Sequence, residues 1–190
     1  MANWLIAGLG NPGPQYEHTR HNVGFWWLDQ LAHDMNVTFS VDSKYHGQLA
    51  QCQLSGHKLY LLKPQLFMNR SGQSVAALAN FYKIPPTNIL IIHDELDLPA
   101  GMARLKKGGG HGGHNGLRDI ISCIGSKDFL RCRLGIDHPG NSKDVSNYVL
   151  SKPSQSDRQA VVNAIDDSLR VLPDVISDDL EKAMNWLHSQ

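Results

Sequence analysis

The chain predicts an α/β fold: a single domain with a twisted mixed sheet, largely parallel, and helices on both faces. Three observations lead there. Strand-like and helix-like apolar patterns alternate along the chain, the order that builds a sheet of parallel strands linked by helices. Ile89 to Ile92 is a short continuous apolar run, as expected of a central strand buried on both faces. A length of 190 residues suffices for one well-formed core and is short for two, so residues 1–190 read as one domain.

Taken in order, Trp4 to Gly8 reads as a buried strand, and the loop through Asn22 leads into a helix on which Phe25, Leu28, Leu31 and Met35 recur at helical spacing. Ala50, Cys52 and Leu54 alternate with polar residues, and Leu59 to Leu62 follows Ser55-Gly56, so these two runs predict a hairpin. Ser71 stands where it can cap a helix carrying Val75, Leu78, Ala79 and Tyr82, which ends before Pro85-Pro86. The Ile89–Ile92 strand comes next, with Asp94 expected just past its C-terminal end. Beyond the glycine-rich stretch Gly108 to Gly116, Leu117 to Ile124 suits a helix and Phe129 to Ile136 a strand. Asp157 to Leu172 and Asp178 to Leu187 suit two closing helices. Ligands of such sheets collect at the carboxyl ends of strands, where Gly8, His93 and Asp94 fall.

With 41% hydrophobic and 19% charged residues the composition is that of a folded globular protein and excludes intrinsic disorder. Apolar runs are strand-sized, and Trp4-Leu5-Ile6-Ala7 follows the start without a basic region or cleavage site, which predicts a cytoplasmic protein without membrane association. Cys52, Cys123 and Cys132 are odd in number, lack C-x-x-C spacing and fall in apolar-periodic segments, which suits reduced, buried thiols and argues against a disulfide framework. The formal net charge of zero hides an uneven distribution. Arg104 to Lys143 holds eight Lys or Arg against Asp119, Asp128 and Asp137, whereas the segment after Ala160 is acidic. A basic region of this kind is what phosphate binding requires.

Asn11, His21, Asn69, Asp94 and Asn115 lie far apart in the chain, each in a turn-rich segment at the edge of an apolar run, where side chains can converge in one cleft. The segments are Gly8-Leu9-Gly10-Asn11-Pro12-Gly13, Thr19-Arg20-His21-Asn22, Phe67-Met68-Asn69-Arg70-Ser71-Gly72, His93-Asp94-Glu95-Leu96-Asp97-Leu98-Pro99 and Gly108-Gly109-Gly110-His111-Gly112-Gly113-His114-Asn115-Gly116. In this order they resemble the bacterial peptidyl-tRNA hydrolase family, over a span from about Leu5 to about Tyr148. Residues beyond that span carry no motif.

The resemblance implies hydrolysis of the ester between a peptide and the 3′-terminal ribose of tRNA, by a monomer that engages the acceptor stem and 3′ end. Ester hydrolysis needs an activated water, donors for the oxyanion and a proton for the leaving hydroxyl. His21 is the natural base, and Asp94 would hold its tautomer and stabilise the imidazolium. On its own, Asp94 could equally cap a turn before Leu96. Asn offers donor and acceptor without charge; by resemblance, Asn11 and Asn69 bind substrate around the histidine, and Asn115 helps place the water and the peptide. Tyr16, by resemblance, lines the site near the terminal nucleotide, and Met68 provides an apolar wall; either side chain could also be core. The glycines of Gly108 to Gly116 suggest a gate over the cleft, with His114 lining the channel. Lys106 and Arg133 match the positions at which the family clamps the 5′-phosphate of tRNA, a doubly charged acceptor suited to Arg and Lys.

No metal and no cofactor are expected, because His111 and His114 have no thiol or carboxylate partner at ligand spacing. Two further readings compete. Gly8 to Gly13 matches the dinucleotide fingerprint, but Pro12 and Pro14 break direct entry into a helix, and Asp29 and Asp34 fall within a helix. A tRNA-binding module without catalysis keeps the basic stretch and leaves His21 and Asp94 unexplained. A serine hydrolase is excluded by the lack of G-x-S-x-G. One departure from the family pattern is Asp137, where a small or basic residue is expected.

Overall fold

Alternation in Trp4-Leu5-Ile6-Ala7 sorts these residues onto opposite faces of strand β1 (Asn3–Gly8): Trp4 and Ile6 enter one apolar cluster, Leu5 and Ala7 another. The computed structural model describes residues 1–190. After β1 come α1 (Val23–Asp34), β2 (Ser40–Asp42), the hairpin of β3 (Gly47–Leu54) and β4 (His57–Pro64), and α2 (Ser71–Tyr82). Then follow β5 (Ile89–Glu95), β6 (Ala103–Lys107), α3 (Asn115–Ile124) and β7 (Leu130–Gly135). The chain closes with α4 (Val145–Val149), α5 (Gln155–Arg170), α6 (Leu172–Ile176) and α7 (Leu180–Leu187). No helix is long and apolar enough to cross a membrane.

One sheet runs through the molecule in the order β2-β3-β4-β1-β5-β7-β6. Its central strands β4, β1, β5 and β7 run parallel, and antiparallel pairs close both edges. Leu90, Ile92, Leu130, Cys132 and Leu134 face the larger cluster, which α1 and the three C-terminal helices cover; Ile89 and Ile91 face the smaller one under α2 and α3. Both faces are covered, so the mixed α/β architecture stands as expected.

The structure departs from the expected elements in a few places. Ser71 is the first residue of α2 and not its cap: its hydroxyl donates back to the Met68 carbonyl at 2.8 Å. Strand β5 continues to Glu95 because pairing with β7 persists through Asp94↔Leu134 and Glu95↔Gly135, so Asp94 lies inside the strand. The edge strands β2 and β6 and the short helices α4 and α6 were not anticipated; each is five residues or fewer, too short for a periodic pattern. Of the three cysteines expected to be buried only Cys132 is; Cys52 is half-buried and Cys123 exposed. The helix expected over Asp157 to Leu172 ends at Arg170, because Pro173 in the first turn of α6 has no N–H to continue it.

Two glycines set how the sheet meets α1. A Cβ on Gly8 would lie 2.1 Å from the Gly24 carbonyl oxygen, and one on Gly24 would lie 2.4 Å from the Leu9 nitrogen and 2.6 Å from the Ile92 oxygen. Backbone therefore packs on backbone where β1 ends, β5 approaches its end and α1 begins. This brings the turn before α1 against the carboxyl ends of the central strands.

Candidate active site

Asp94 is 4% exposed and accepts from two imidazoles, one on each carboxylate oxygen. His21, in the helical turn Arg20–Asn22 before α1, lies with Nδ1 at 2.8 Å from Oδ2; His114 lies with Nε2 at 2.7 Å from Oδ1. His114 is also the cap of α3, its Nδ1 accepting from the backbone N–H groups of Gly116 at 3.1 Å and Leu117 at 3.3 Å. The network assigns the tautomers. Nδ1 of His114 is an acceptor, so its Nε2 carries hydrogen and donates to Asp94. The remaining carboxylate oxygen accepts from Nδ1–H of His21, which leaves Nε2 of His21 as a basic nitrogen in the cleft wall.

Charge follows from this geometry. Burial alone would lower the His21 pKa, but the Asp94 charge and hydrogen bond outweigh it and raise it above the ordinary 6.5. Burial would likewise raise the Asp94 carboxyl, yet the His21 and His114 rings and their hydrogen bonds hold it far below the usual carboxylate range. His93, buried and donating from Nδ1 to the Asp94 carbonyl at 2.8 Å, is pushed down to about 3, by burial first and then by His114.

The cleft encloses about 650 Å³ and brings together Asn11, His21, Met68, Asn69, Asp94, His114 and Asn115. Asn11 is nearly buried, and its Oδ1 accepts from the Met68 N–H at 2.7 Å, so its amide N–H groups are the part left for a ligand. Asn69 and Asn115 are exposed on the cleft rim, Asn115 accepting only from Arg118 at 3.4 Å. Met68 is both wall and core, 4% exposed with Ser71 against its sulfur. Tyr16 stands behind the cleft, edge-on to the half-exposed Phe67 at 6.1 Å between ring centroids, and it is Phe67 that lines the cavity.

Asn22 was missed by the sequence reading. It is 2% exposed, accepts from the Asn11 N–H and donates to the Asn11 carbonyl, both at 2.9 Å, and so ties the turn holding His21 to the exit of β1. Its only signal was adjacency to His21.

Lys106 and Arg133 lie outside the cleft, on one face of the β6–β7 pair. Arg104 stands opposite Arg133 and Lys106 opposite Arg131, so four cations share that face. The expected lack of a carboxylate partner for His111 and His114 does not hold for His114. His111 does not pair with His114; its Nδ1 accepts from the Gly113 N–H at 2.9 Å, whereas a carboxylate partner for His114 does exist in Asp94. The ligand-type atoms of His21, Asp94 and His114 lie within 4.8 Å of one another. Asp137 adopts φ +66°, the left-handed region that favours glycine, and its carboxylate accepts from the Ala100 N–H at 3.4 Å.

A histidine with its basic nitrogen in a cleft, oriented by an ionised carboxylate and flanked by side-chain amides at the carboxyl ends of a parallel sheet, marks a hydrolytic enzyme. The chain belongs to the peptidyl-tRNA hydrolase family, whose model matches residues 5–190 and so includes the C-terminal helices that carried no recognised motif. It is 57% identical over 185 residues to the peptidyl-tRNA hydrolase of Coxiella burnetii, covering 97% of each chain. It is also 50% identical to that of Neisseria meningitidis over 186 residues, covering 98% of this chain and 97% of that one. The crystal structure of peptidyl-tRNA hydrolase from Acinetobacter baumannii superimposes with a TM-score of 0.94 at 47% identity, covering 97% of this chain and 93% of that one. The activity is hydrolysis of peptidyl-tRNA.

Proposed function

We propose that His21 is the general base of this reaction. Its Nε2 takes a proton from a water that attacks the ester carbonyl; the oxyanion is met by amide N–H groups of the cleft. The intermediate collapses by breaking the bond to the ribose oxygen, which takes the proton back from the His21 imidazolium. The products are a peptide carboxylic acid and tRNA with a free ribose hydroxyl, with no covalent enzyme intermediate. Asp94 holds the Nδ1–H tautomer and balances the charge that forms. The observation carrying this reading is the hydrogen-bond chain from the α3 N-terminus through His114 and Asp94 to His21, which leaves one basic nitrogen facing the cavity.

Asn11, Asn69 and Asn115 place the ester and the water, Met68 and Tyr16 with Phe67 shape the wall and rim, and Lys106 and Arg133 hold the 5′-phosphate. The reaction uses no metal: His114 donates from one nitrogen while accepting at the other and has no lone pair for an ion, which leaves His21 and Asp94 as a set of two, fewer than a zinc site uses. We assign the protein to the cytoplasm as a monomer of one domain. The test is His21→Ala, which is expected to abolish turnover of N-acyl-aminoacyl-tRNA while retaining tRNA binding; turnover at the unmodified rate would remove His21 from the mechanism.

A further inference from the structure

Arg131, on β7, is 2% exposed and forms no salt bridge, an unusual setting for a guanidinium. Its donors go to carbonyls. Nη1 donates to Gly110, and Nη2 donates to Gly109 and, at 3.2 Å, to Lys127. Its carbon Cζ lies 4.4 Å from the centroid of the buried Phe129 ring, which fixes the plane of the fork.

Apart from Arg131, the segment is tied to the residue just before β7 through the Gly108 N–H on the Phe129 carbonyl at 3.0 Å, and its remaining bonds, Gly113 N–H to His111 Nδ1 and His114 N–H to the His111 carbonyl, lie within the loop. Gly108, Gly109, Gly112 and Gly113 all have positive φ, and no foreign atom lies within 4 Å of where a Cβ would stand on Gly110, Gly112 or Gly113. Side-chain packing therefore does not hold the tip of this loop, and Arg131 grips its stem at two successive carbonyls. Four residues beyond Gly110 is His114, whose ring must reach Asp94 to set the tautomer of His21. Arg131 also shares its sheet face with Arg104, Lys106 and Arg133, and the Lys106 side chain rests against Gly109. Because Arg131 is covered while Lys106 is exposed, it is badly placed to meet a phosphate itself.

We propose that Arg131 is a positioning residue for hydrolysis: its guanidinium fixes the stem of the Gly108–Gly113 loop, so that His114 meets Asp94 and the proton-transfer chain is complete. The proposal rests on the catalytic reading of His21 and Asp94. A phosphate ligand would act on KM for tRNA; a positioning residue acts on kcat.

The experiment measures kcat and KM on N-acyl-aminoacyl-tRNA for Arg131→Lys and Arg131→Ala, beside His21→Ala. Expected is a fall in kcat of about tenfold to a hundredfold with KM unchanged, the scale of a reacting group displaced by about 1 Å. Lys, whose ammonium lacks the fork that spans both loop carbonyls, should still lose less than Ala, and methylguanidinium in solution should restore part of the Ala variant's kcat. Amide hydrogen exchange should quicken at Gly109 to His114 and stay unchanged in the strands. Should Ala not fold, the Lys variant, which keeps the charge, reads the same split. Undiminished kcat in folded Arg131→Lys and Arg131→Ala, or a rise in KM alone, would overturn the proposal. If His21→Ala is inactive in that case, the catalytic reading survives without it; if His21→Ala is active, the reading itself has failed.

Discussion

Replacing Asp94 by Asn, which has nearly the same shape, sets the hydrogen-bond network a problem it cannot solve. The carboxylate accepts on both oxygens, from Nδ1–H of His21 at 2.8 Å and Nε2–H of His114 at 2.7 Å. An amide accepts on one side and donates on the other. With the amide oxygen toward His21, the NH₂ meets Nε2–H of His114. That ring would have to move its hydrogen to Nδ1, against the Gly116 and Leu117 N–H groups that it now accepts from at 3.1 and 3.3 Å. With the oxygen toward His114, His21 must accept at Nδ1 and carry its hydrogen on Nε2, so the basic nitrogen no longer faces the water.

The second arrangement keeps the α3 cap and should prevail. Loss of the correct tautomer costs a hydrolytic histidine about 10⁴-fold in kcat, and general-base assistance as a whole is worth roughly 10² to 10⁴. We therefore expect Asp94→Asn to lower kcat by about 10³-fold or more with KM little changed. The pH profile should move as well. In the unmodified enzyme Asp94 raises the His21 pKa, so activity falls as acid protonates Nε2 below a midpoint above 6.5. Without the charge, burial is unopposed and that midpoint moves down. Single-turnover release of peptide from N-acyl-aminoacyl-tRNA across pH, with imidazole ¹⁵N shifts to report the tautomer, reads both effects. Full kcat with an unmoved midpoint would refute the assigned network.

Lys106→Ala and Arg133→Ala should each raise KM and flatten its dependence on salt by about one counterion, and their effects should be non-additive on tRNA bearing a 5′-phosphate; additive losses would place them on different groups. Activity should survive exhaustive chelation in metal-free buffer, and loss restored by zinc would make His21, Asp94 and His114 ligands. Gly24→Ala should destabilise by roughly 2–4 kcal/mol in urea unfolding, because its Cβ meets backbone on two sides; an unchanged midpoint would contradict that packing. His93 has a folded pKa of about 3 against 6.5 unfolded, so below pH 6.5 the unfolded state binds a proton that the folded state does not, and stability falls with pH. That loss is about 2 kcal/mol between pH 6.5 and pH 5. His21, raised above 6.5, works in the opposite sense and mainly at higher pH, its contribution being present below 6.5 and lost as the pH rises through its folded pKa. The measurement is therefore the difference in slope below pH 6.5 between unmodified protein and His93→Asn, and equal slopes would mean that His93 titrates normally in the fold.

The convergence of His21, Asp94 and the three amides in one cleft was legible because five motifs in family order set them at the ends of apolar runs, and the sheet's geometry gathers those ends. The continuous apolar runs of β1 and β5 were legible because burial on two faces writes itself into composition. What the chain did not disclose was contact-dependent. Asn22 and Arg131 act on backbone carbonyls, or on carbonyl and N–H together, and any residue can supply such groups, so nothing in the partner's identity marks the pair. His114 could be read as a channel residue but not as a helix cap that donates to Asp94, because that role depends on the ring turning between α3 and β5. Strand β6 escaped notice because its alternation, buried Ala103 and Leu105 against Arg104 and Lys106, spans only five residues.

Three histidines surround one carboxylate here, and the proposed mechanism requires that only one of them take the proton. His93 touches Asp94 only through its backbone carbonyl and is buried, so its charged form is disfavoured. His114 commits its Nδ1 lone pair to the first turn of α3, where the positive end of the helix dipole also lies, and a proton there would break two hydrogen bonds. His21 alone has its free nitrogen in the cavity and its other nitrogen on the carboxylate, so under the proposed mechanism the charge created when water loses a proton would be stabilised at that ring and at neither of the others. His93 and His114 thus contribute by being unavailable. A variant that freed Nδ1 of His114, such as one that displaced the start of α3, would open a competing site for the proton within 5.1 Å of His21, measured between ring centroids. The helix cap and the choice of base are in this way one structural feature.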